Sequence, residues 1–336
     1  MELLFFANSS NKVLVEDLLD KIRLIPTFRH SRLADMALRF HPDMEPFVEI
    51  KDNVRRGQGR KCIVVGCIAT DSLGSINDHA METLVLLDAL KRADAEIEAL
   101  ILPYLPYARQ DRRKGETTDR TSITSALFAD MLACAAPCRV YVVEPHAICI
   151  EGFFAGPMDR IPVIHVFVEP LRRRLTDPQK ICVVSPDRGG WERASALATL
   201  LGTSHPIAWI DKRRSAPGKA KAYQLVGDVA GLDVVLVDDM IDTAGSICQA
   251  LTVLKEADAR RLLVCAVHGL FSHPALERLS QSPVEHIFVT SSVAQKSAVL
   301  DSPLIEVVPI GGLLASAVDH FMAGESLRTL NQITPR

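Results

Sequence analysis

Short unbroken apolar runs alternate along this chain with longer segments whose apolar residues recur every three or four positions. In the first half, Cys62–Ile68 and Ile97–Leu102 read as buried strands. Between them, Asp78–Ala93 carries Met81, Leu84, Leu87 and Leu90 near helical spacing, which predicts an amphipathic helix. Ile123–Ala135 predicts a helix and Val140–Val143 a strand. In the second half, strands are expected at Ile181–Val184, Ile207–Ile210, Val234–Val237, Leu262–Val267 and His286–Val289. Helices are expected over Gly190–Leu201, Ile247–Glu256, Pro274–Ser280 and Leu313–Met322. Such alternation predicts parallel sheets covered by helices on both faces. Two series of this kind suggest an internal duplication, with the boundary near Gly156–Arg160, a stretch containing Gly and Pro.

Composition narrows the class. A chain of 336 residues, 48% hydrophobic, is long enough for two domains with separate cores. Its net charge of −3 supplies no basic excess, so no nucleic-acid partner is expected. No apolar run is long enough to span a bilayer, and the start MELLFFANSS lacks a basic n-region and a full apolar core. A cytoplasmic location without membrane attachment follows as the expectation. The eight cysteines suit it: Cys62, Cys67, Cys182, Cys248 and Cys265 lie in apolar runs, and Cys134 and Cys138 lack C-x-x-C spacing.

The densest chemistry lies in Val234–Cys248, VVLVDDMIDTAGSIC. A β-branched run ends in Asp238 and Asp239, a turn of small and hydroxyl residues follows, and a helix begins. Backbone N–H groups at a helix N-terminus receive phosphate, and the small residues Ala244, Gly245 and Ser246 allow close approach. Asp242, Thr243 and Ser246 add polar groups. Carboxylates repel phosphate, so Asp238 and Asp239 suit vicinal hydroxyls or a metal. Together these groups describe a sugar-phosphate site rather than an ordinary capped turn.

This segment resembles the ribose-5-phosphate loop of the type I phosphoribosyltransferase fold. That loop is shared by the phosphoribosyltransferases and by ribose-phosphate pyrophosphokinase. The chain has no G-x-x-x-x-G-K-[ST] segment, so any use of ATP proceeds without a Walker loop. Directly after the strand Ile97–Leu102 stands Pro106–Arg113. There Arg109 can stack on a base or fork onto phosphate, and Gln110 can read an amide-like ring edge. A solvated charge run would look the same in isolation. Tyr107-Ala108-Arg109-Gln110-Asp111, however, matches the ATP segment of the pyrophosphokinase family. Further matches are Asp52–Arg55, Asn77-Asp78 with Met81-Glu82, Asp88–Ala93, His146-Ala147 with Gly152–Phe154, Ser185–Asp187 with Gly189-Gly190 and Arg193-Ala194, Asp211–Arg214, and Gly227–Val229.

The resemblance covers nearly the whole chain. It implies an α/β fold of two tandem type I phosphoribosyltransferase-type domains, each a mainly parallel sheet flanked by helices. Residues 1–157 form the ATP-side domain, 158–309 the ribose-5-phosphate-binding domain, and 310–336 a C-terminal helix and tail packing back on the first. It implies transfer of the β,γ-diphosphoryl group of ATP to the 1-hydroxyl of ribose 5-phosphate. ATP would be held by Arg109, Gln110 and His146, and by His41, Asp43 and Glu45 from a neighbouring subunit of a homo-oligomer built from dimers, a hexamer. Ribose 5-phosphate would be held by Asp238, Asp239, Asp242, Thr243, Ala244, Gly245 and Ser246. Mg²⁺ would be held by His146 and Asp187; the histidine is nominated by the resemblance alone, since magnesium prefers oxygen. Lys212 and Arg214 would neutralise the transition state, at the head of a mobile loop, Ser215–Lys221. A non-catalytic regulatory homologue and a phosphoribosyltransferase are the alternatives.

The chain departs from the family pattern in places. His41-Pro42-Asp43-Met44-Glu45 stands where the family has Phe-x-Asp-Gly-Glu, and Glu144-Pro145 precedes the metal-site histidine. At the positions the resemblance assigns to an allosteric phosphate or ADP site stand Ile148, Glu151 and Gly311. Isoleucine and glycine offer no side-chain donor, and an ionised glutamate repels anions.

Overall fold

The computed structural model describes residues 2–113, 120–213 and 222–332. The chain forms two compact units: Met1–Pro162 with Ser292–Ala294 and Pro309–Gln332, and Val163–Ser291 with Gln295–Val308.

The first unit begins with β1 (Glu2–Ala7), α1 (Lys12–Ile22), β2 (Arg32–Leu33), β3 (Met36–Phe40), β4 (Pro46–Ile50), β5 (Arg60–Cys67) and α2 (Ile76–Arg92). It continues with β6 (Ile97–Tyr104), α3 (Thr124–Ala135), β7 (Arg139–Val143) and β8 (Met158–Ile161). Its main sheet has the order β2-β1-β5-β6-β7-β8, and every pairing is parallel. β3 and β4 form a separate antiparallel hairpin. α2 starts at Ile76, two residues earlier than periodicity suggests. The reason is a capping box: the Ser75 hydroxyl accepts from the Asp78 amide, and the Asp78 carboxylate accepts from the Ser75 amide at 2.8 Å. The helix lays Leu84, Leu87 and Leu90 on Val64, Leu100 and Leu102 of the sheet. Burying one such leucine contributes roughly 1.5–3 kcal/mol.

The second unit contains α4 (Val168–Arg174), β9 (Ile181–Ser185), α5 (Trp191–Leu201), β10 (Ala208–Arg213), β11 (Ala222–Val226) and β12 (Asp233–Ile241). Then come α6 (Gly245–Glu256), β13 (Arg261–Gly269), α7 (Ala275–Ser280), β14 (His286–Thr290), α8 (Ser297–Leu300) and β15 (Ile305–Val308). The order is β11-β10-β9-β12-β13-β14-β15, parallel except for the β10–β11 pair. Ile247, Leu251 and Leu254 of α6 pack with Val184, Leu236 and Val264 of this sheet. Gly202, at φ 72°, closes α5 in the left-handed conformation that glycine adopts cheaply. The last helix, α9 (Gly311–Ala323), belongs to the first unit.

The two main sheets share one plan. In each, the second strand of the sheet lies on one side of the first, with β11 beyond it in the second unit, and the remaining strands extend on the other side. The direction therefore reverses between β1 and β5, and again between β9 and β12. At such a switch point the C-terminal strand ends open a crevice that suits ligands. Among the described residues, no helix is long and apolar enough to cross a membrane.

Candidate active site

In the second unit, the switch point brings the β9–α5 turn and the β12–α6 loop together on neighbouring strands. After β9, Asp187 caps its own turn, its Oδ1 accepting from the Gly189 amide at 2.9 Å and the Gly190 amide at 3.3 Å. The Ser185 hydroxyl donates to the Asp187 carbonyl at 2.6 Å. A Cβ on Gly190 would strike that hydroxyl, so the tight approach requires glycine. The capping role and a ligand role are compatible, because one carboxylate has several acceptor sites.

β12 runs further than its apolar core, through both acids to Ile241. Asp238 and Asp239 differ in burial. Asp239 is buried, whereas Asp238 keeps partial exposure and lies 3.9 Å from Arg193 of α5. Burial and the neighbouring Asp239 carboxylate push the Asp238 carboxyl well above the usual carboxylate range, with Arg193 pulling the other way.

The loop then turns through Ala244 at φ 59°. The left-handed residue is thus alanine, not the adjacent glycine, and the conformation costs about 1 kcal/mol. α6 starts at Gly245, and its N-cap residue, Ala244, supplies no side-chain cap. Its first amides therefore face the loop as donors for a ligand anion. Thr243 and Ser246 are exposed, and Asp242 is half-buried.

Asp211, Lys212 and Arg213 belong to β10 rather than to a loop after it, and Lys212 pairs with Tyr223 of β11. The side chain of Lys212, Arg214 and the loop Ser215–Lys221 lie outside the described residues.

In the first unit, β6 and β7 are neighbours, and the segments after them carry Arg109, Gln110 and His146. All three are exposed. Tyr107, at φ 59°, donates its hydroxyl to Asn77 at 2.6 Å, which pins the head of this segment to α2. The Gln110 amide oxygen accepts from Thr124 at 2.8 Å and Ser122 at 3.3 Å. His41, Asp43 and Glu45 form the exposed tip of the β3–β4 hairpin, closed by the His41 amide on the Glu45 carbonyl.

Among the described residues, no three His, Cys, Asp or Glu side chains assemble a cation site. Magnesium held mainly by substrate phosphates needs only one or two protein ligands. The Asp187 carboxylate, a hard oxygen donor oriented by two amides, fits that demand.

Residues 3–135 match the model of the N-terminal domain of ribose phosphate pyrophosphokinase, and residues 209–332 match that of the phosphoribosyl synthetase-associated domain. A ribose-phosphate pyrophosphokinase of Mesorhizobium japonicum is 34% identical over 325 residues, 97% of this chain and 98% of its own. The chain belongs to the ribose-phosphate pyrophosphokinase family. One from Aquifex aeolicus is 36% identical over 96% of this chain and 97% of its own. The crystal structure of phosphoribosylpyrophosphate synthetase from Mycobacterium smegmatis superposes with a TM-score of 0.83 at 31% identity, covering 96% of this chain and all of that one.

In this pyrophosphokinase-family chain Arg193 is marked in the sequence only by the match of Arg193-Ala194 to the family pattern, and Arg278 carries no sequence signal. Arg193 faces Asp238 from a helix 45 residues earlier in the chain. Arg278 of α7 donates to the Thr243 carbonyl at 3.0 Å and so braces the loop from behind. Charged residues on predicted helix faces read as solvated; the packing of α5 turns Arg193 inward, while Arg278 stays exposed and reaches the loop from α7.

Proposed function

We propose that the protein is a ribose-phosphate diphosphokinase, making 5-phosphoribosyl 1-diphosphate and AMP from ATP and ribose 5-phosphate. Beyond family membership, the observation that carries this reading is the N-terminus of α6, where Ala244 supplies no side-chain cap, beside the Asp238–Asp239 pair. The amides of the Asp242–Ser246 loop hold the 5-phosphate, with the Thr243 and Ser246 hydroxyls as further donors. Asp238 and Asp239 hold the ribose hydroxyls, since carboxylate oxygens accept hydrogen bonds from a diol. On the ATP side, Arg109 and Gln110 hold the nucleotide.

The 1-hydroxyl attacks the β-phosphorus in line with the departing α-phosphate oxygen. The protein's work is positioning and charge neutralisation, and Lys212 and Arg214 supply cations where negative charge develops. Mg²⁺, held by His146 and Asp187, would neutralise the polyphosphate oxygens. The exposed tip His41–Glu45 serves a neighbouring subunit's ATP, so the working form is a homo-oligomer built from dimers, a hexamer, in the cytoplasm.

The test is AMP formation from ATP that depends on ribose 5-phosphate. A non-catalytic homologue forms none. A phosphoribosyltransferase consumes the diphosphate product and needs no ATP. A fully active monomer at assay dilution would contradict the shared nucleotide site.

A further inference from the structure

The chain has two tryptophans, and they meet. Trp191 and Trp209 have ring centroids 5.5 Å apart at an interplanar angle of 85°, edge to face. Trp191 is the first residue of α5, four positions after Asp187. Trp209 lies on β10, three positions before Lys212. Side chains alternate along a strand, so Ala208 and Ile210 enter the core with α6 while Trp209 and Asp211 share the other face. That second face meets the Asp187 turn twice: Trp209 against Trp191, and Asp211 3.5 Å from Arg188. Backbone pairing of Trp209 with Ser185, whose hydroxyl holds the Asp187 carbonyl, adds a third tie.

Packing alone does not account for the pair. Trp191 is 43% exposed and lies outside the hydrophobic core. Trp209 Nε1 is buried without a hydrogen-bond partner among the described residues, a cost to the fold that phenylalanine would avoid. We infer that Trp191 and Trp209, with the Arg188–Asp211 ion pair, form a strap that holds the Asp187 turn in register with the strand carrying Lys212. The inference rests on the proposed diphosphokinase reaction, in which these two residues act on one polyphosphate. Neither tryptophan is a catalytic residue. Both are positioning residues, and a small displacement of the turn would misalign the transfer.

The test compares Trp191→Ala and Trp209→Ala with Trp191→Phe and Trp209→Phe in AMP formation by the full-length protein. The alanine variants should lose kcat on the order of tenfold to a hundredfold, with KM for ribose 5-phosphate little changed. The phenylalanine variants should recover most of kcat, because a ring edge remains. In Trp209→Phe, the single remaining tryptophan, Trp191, should change its emission when ATP and Mg²⁺ are added. Alanine variants with wild-type kcat and only a lower Tm would overturn the strap, as would a Trp191 emission blind to ATP and Mg²⁺ in an active protein. If an alanine variant does not fold, Trp191→Leu carries the kinetic test, since it fills volume without a ring. If the wild-type protein forms no AMP, the functional reading fails by itself. The strap is then judged by Arg188→Gln in the Trp209→Phe protein: faster anisotropy decay of Trp191 supports it, and unchanged decay overturns it.

Discussion

Asp17 of α1 accepts a hydrogen bond from the Gly311 amide at 2.9 Å, so a carboxylate of the first unit sits on the N-terminus of α9. A Cβ at position 311 would overlap that carboxylate. In the sequence, Gly311 is only a position without a donor. In the structure its amide is also occupied, by a group whose charge complements the helix dipole and repels a second anion. Little activation by inorganic phosphate is therefore expected, with ADP inhibition competitive against ATP. Strong ADP inhibition that extra ATP cannot relieve, together with phosphate activation, would contradict this. Asp17→Ala should cost about 1 kcal/mol of stability through loss of the cap, measured by urea unfolding. Gly311→Ser should cost about 1–3 kcal/mol through overpacking.

At the sugar-phosphate loop, Asp242→Ala combined with Ser246→Ala should weaken ribose 5-phosphate binding and leave ATP binding little changed. Arg278→Ala should act in the same direction by releasing the Thr243 carbonyl, although Arg278 is assigned no contact with substrate. Removing a hydrogen bond to a charged group costs about 1.5–3 kcal/mol, which is roughly tenfold or more in Kd. Calorimetry with ribose 5-phosphate decides, and unchanged affinity in the double variant would remove the loop from the site.

Lys212→Ala and Arg214→Ala should lower kcat far more than they raise either KM, because their charges are proposed to matter mainly in the transition state. Steady-state kinetics with each substrate varied would show this. A loss confined to KM would make both residues binders.

At the switch point of the first unit, fully buried His79 lies 2.9 Å from Asp71 and 3.4 Å from Glu82. Burial disfavours its imidazolium, but the hydrogen bonds to Glu82 and Asp71 outweigh that and raise its pKa above 6.5. Burial likewise opposes the charged forms of Asp71 and Glu82, yet hydrogen bonds from Ser10 and His79, and from His79 and Ser9, hold both carboxyls low. The histidine's contribution to stability is thus complete below pH 6.5 and lost as pH rises through its raised value. The carboxylates' contribution is present above their ordinary values of 3.8 and 4.5, and is lost as pH falls through their lowered ones. Urea unfolding across pH should show both limbs. His79→Gln should remove the loss on the alkaline side while leaving acid unfolding in place; an unchanged alkaline limb would mean that His79 does not titrate there.

Local pattern was enough to reveal the α/β plan. Runs such as Val234–Val237 and spacings such as Leu84, Leu87 and Leu90 register burial directly, because strand and helix periods differ. The acids, hydroxyls and small residues of Asp238–Ser246 were also legible, since one short stretch of backbone carries them all. Element ends were not: β12 continues through Asp238 and Asp239 because parallel pairing with β13 persists as far as Ile241 and Gly269, and α2 begins at its capping box. β1, the β3–β4 hairpin and β11 gave no sufficient signal: β1 is defined by pairing with β5 far along the chain, and the β3–β4 hairpin is short and only partly buried, so no apolar run marks it. Tertiary structure alone decided that Arg193 faces Asp238, that Arg278 braces Thr243, that Asp17 occupies the Gly311 amide, and that Trp191 meets Trp209. Each of these joins residues whose separation in sequence says nothing of distance in space. A charge or ring on a helix face looks solvated until the element packed against it is known.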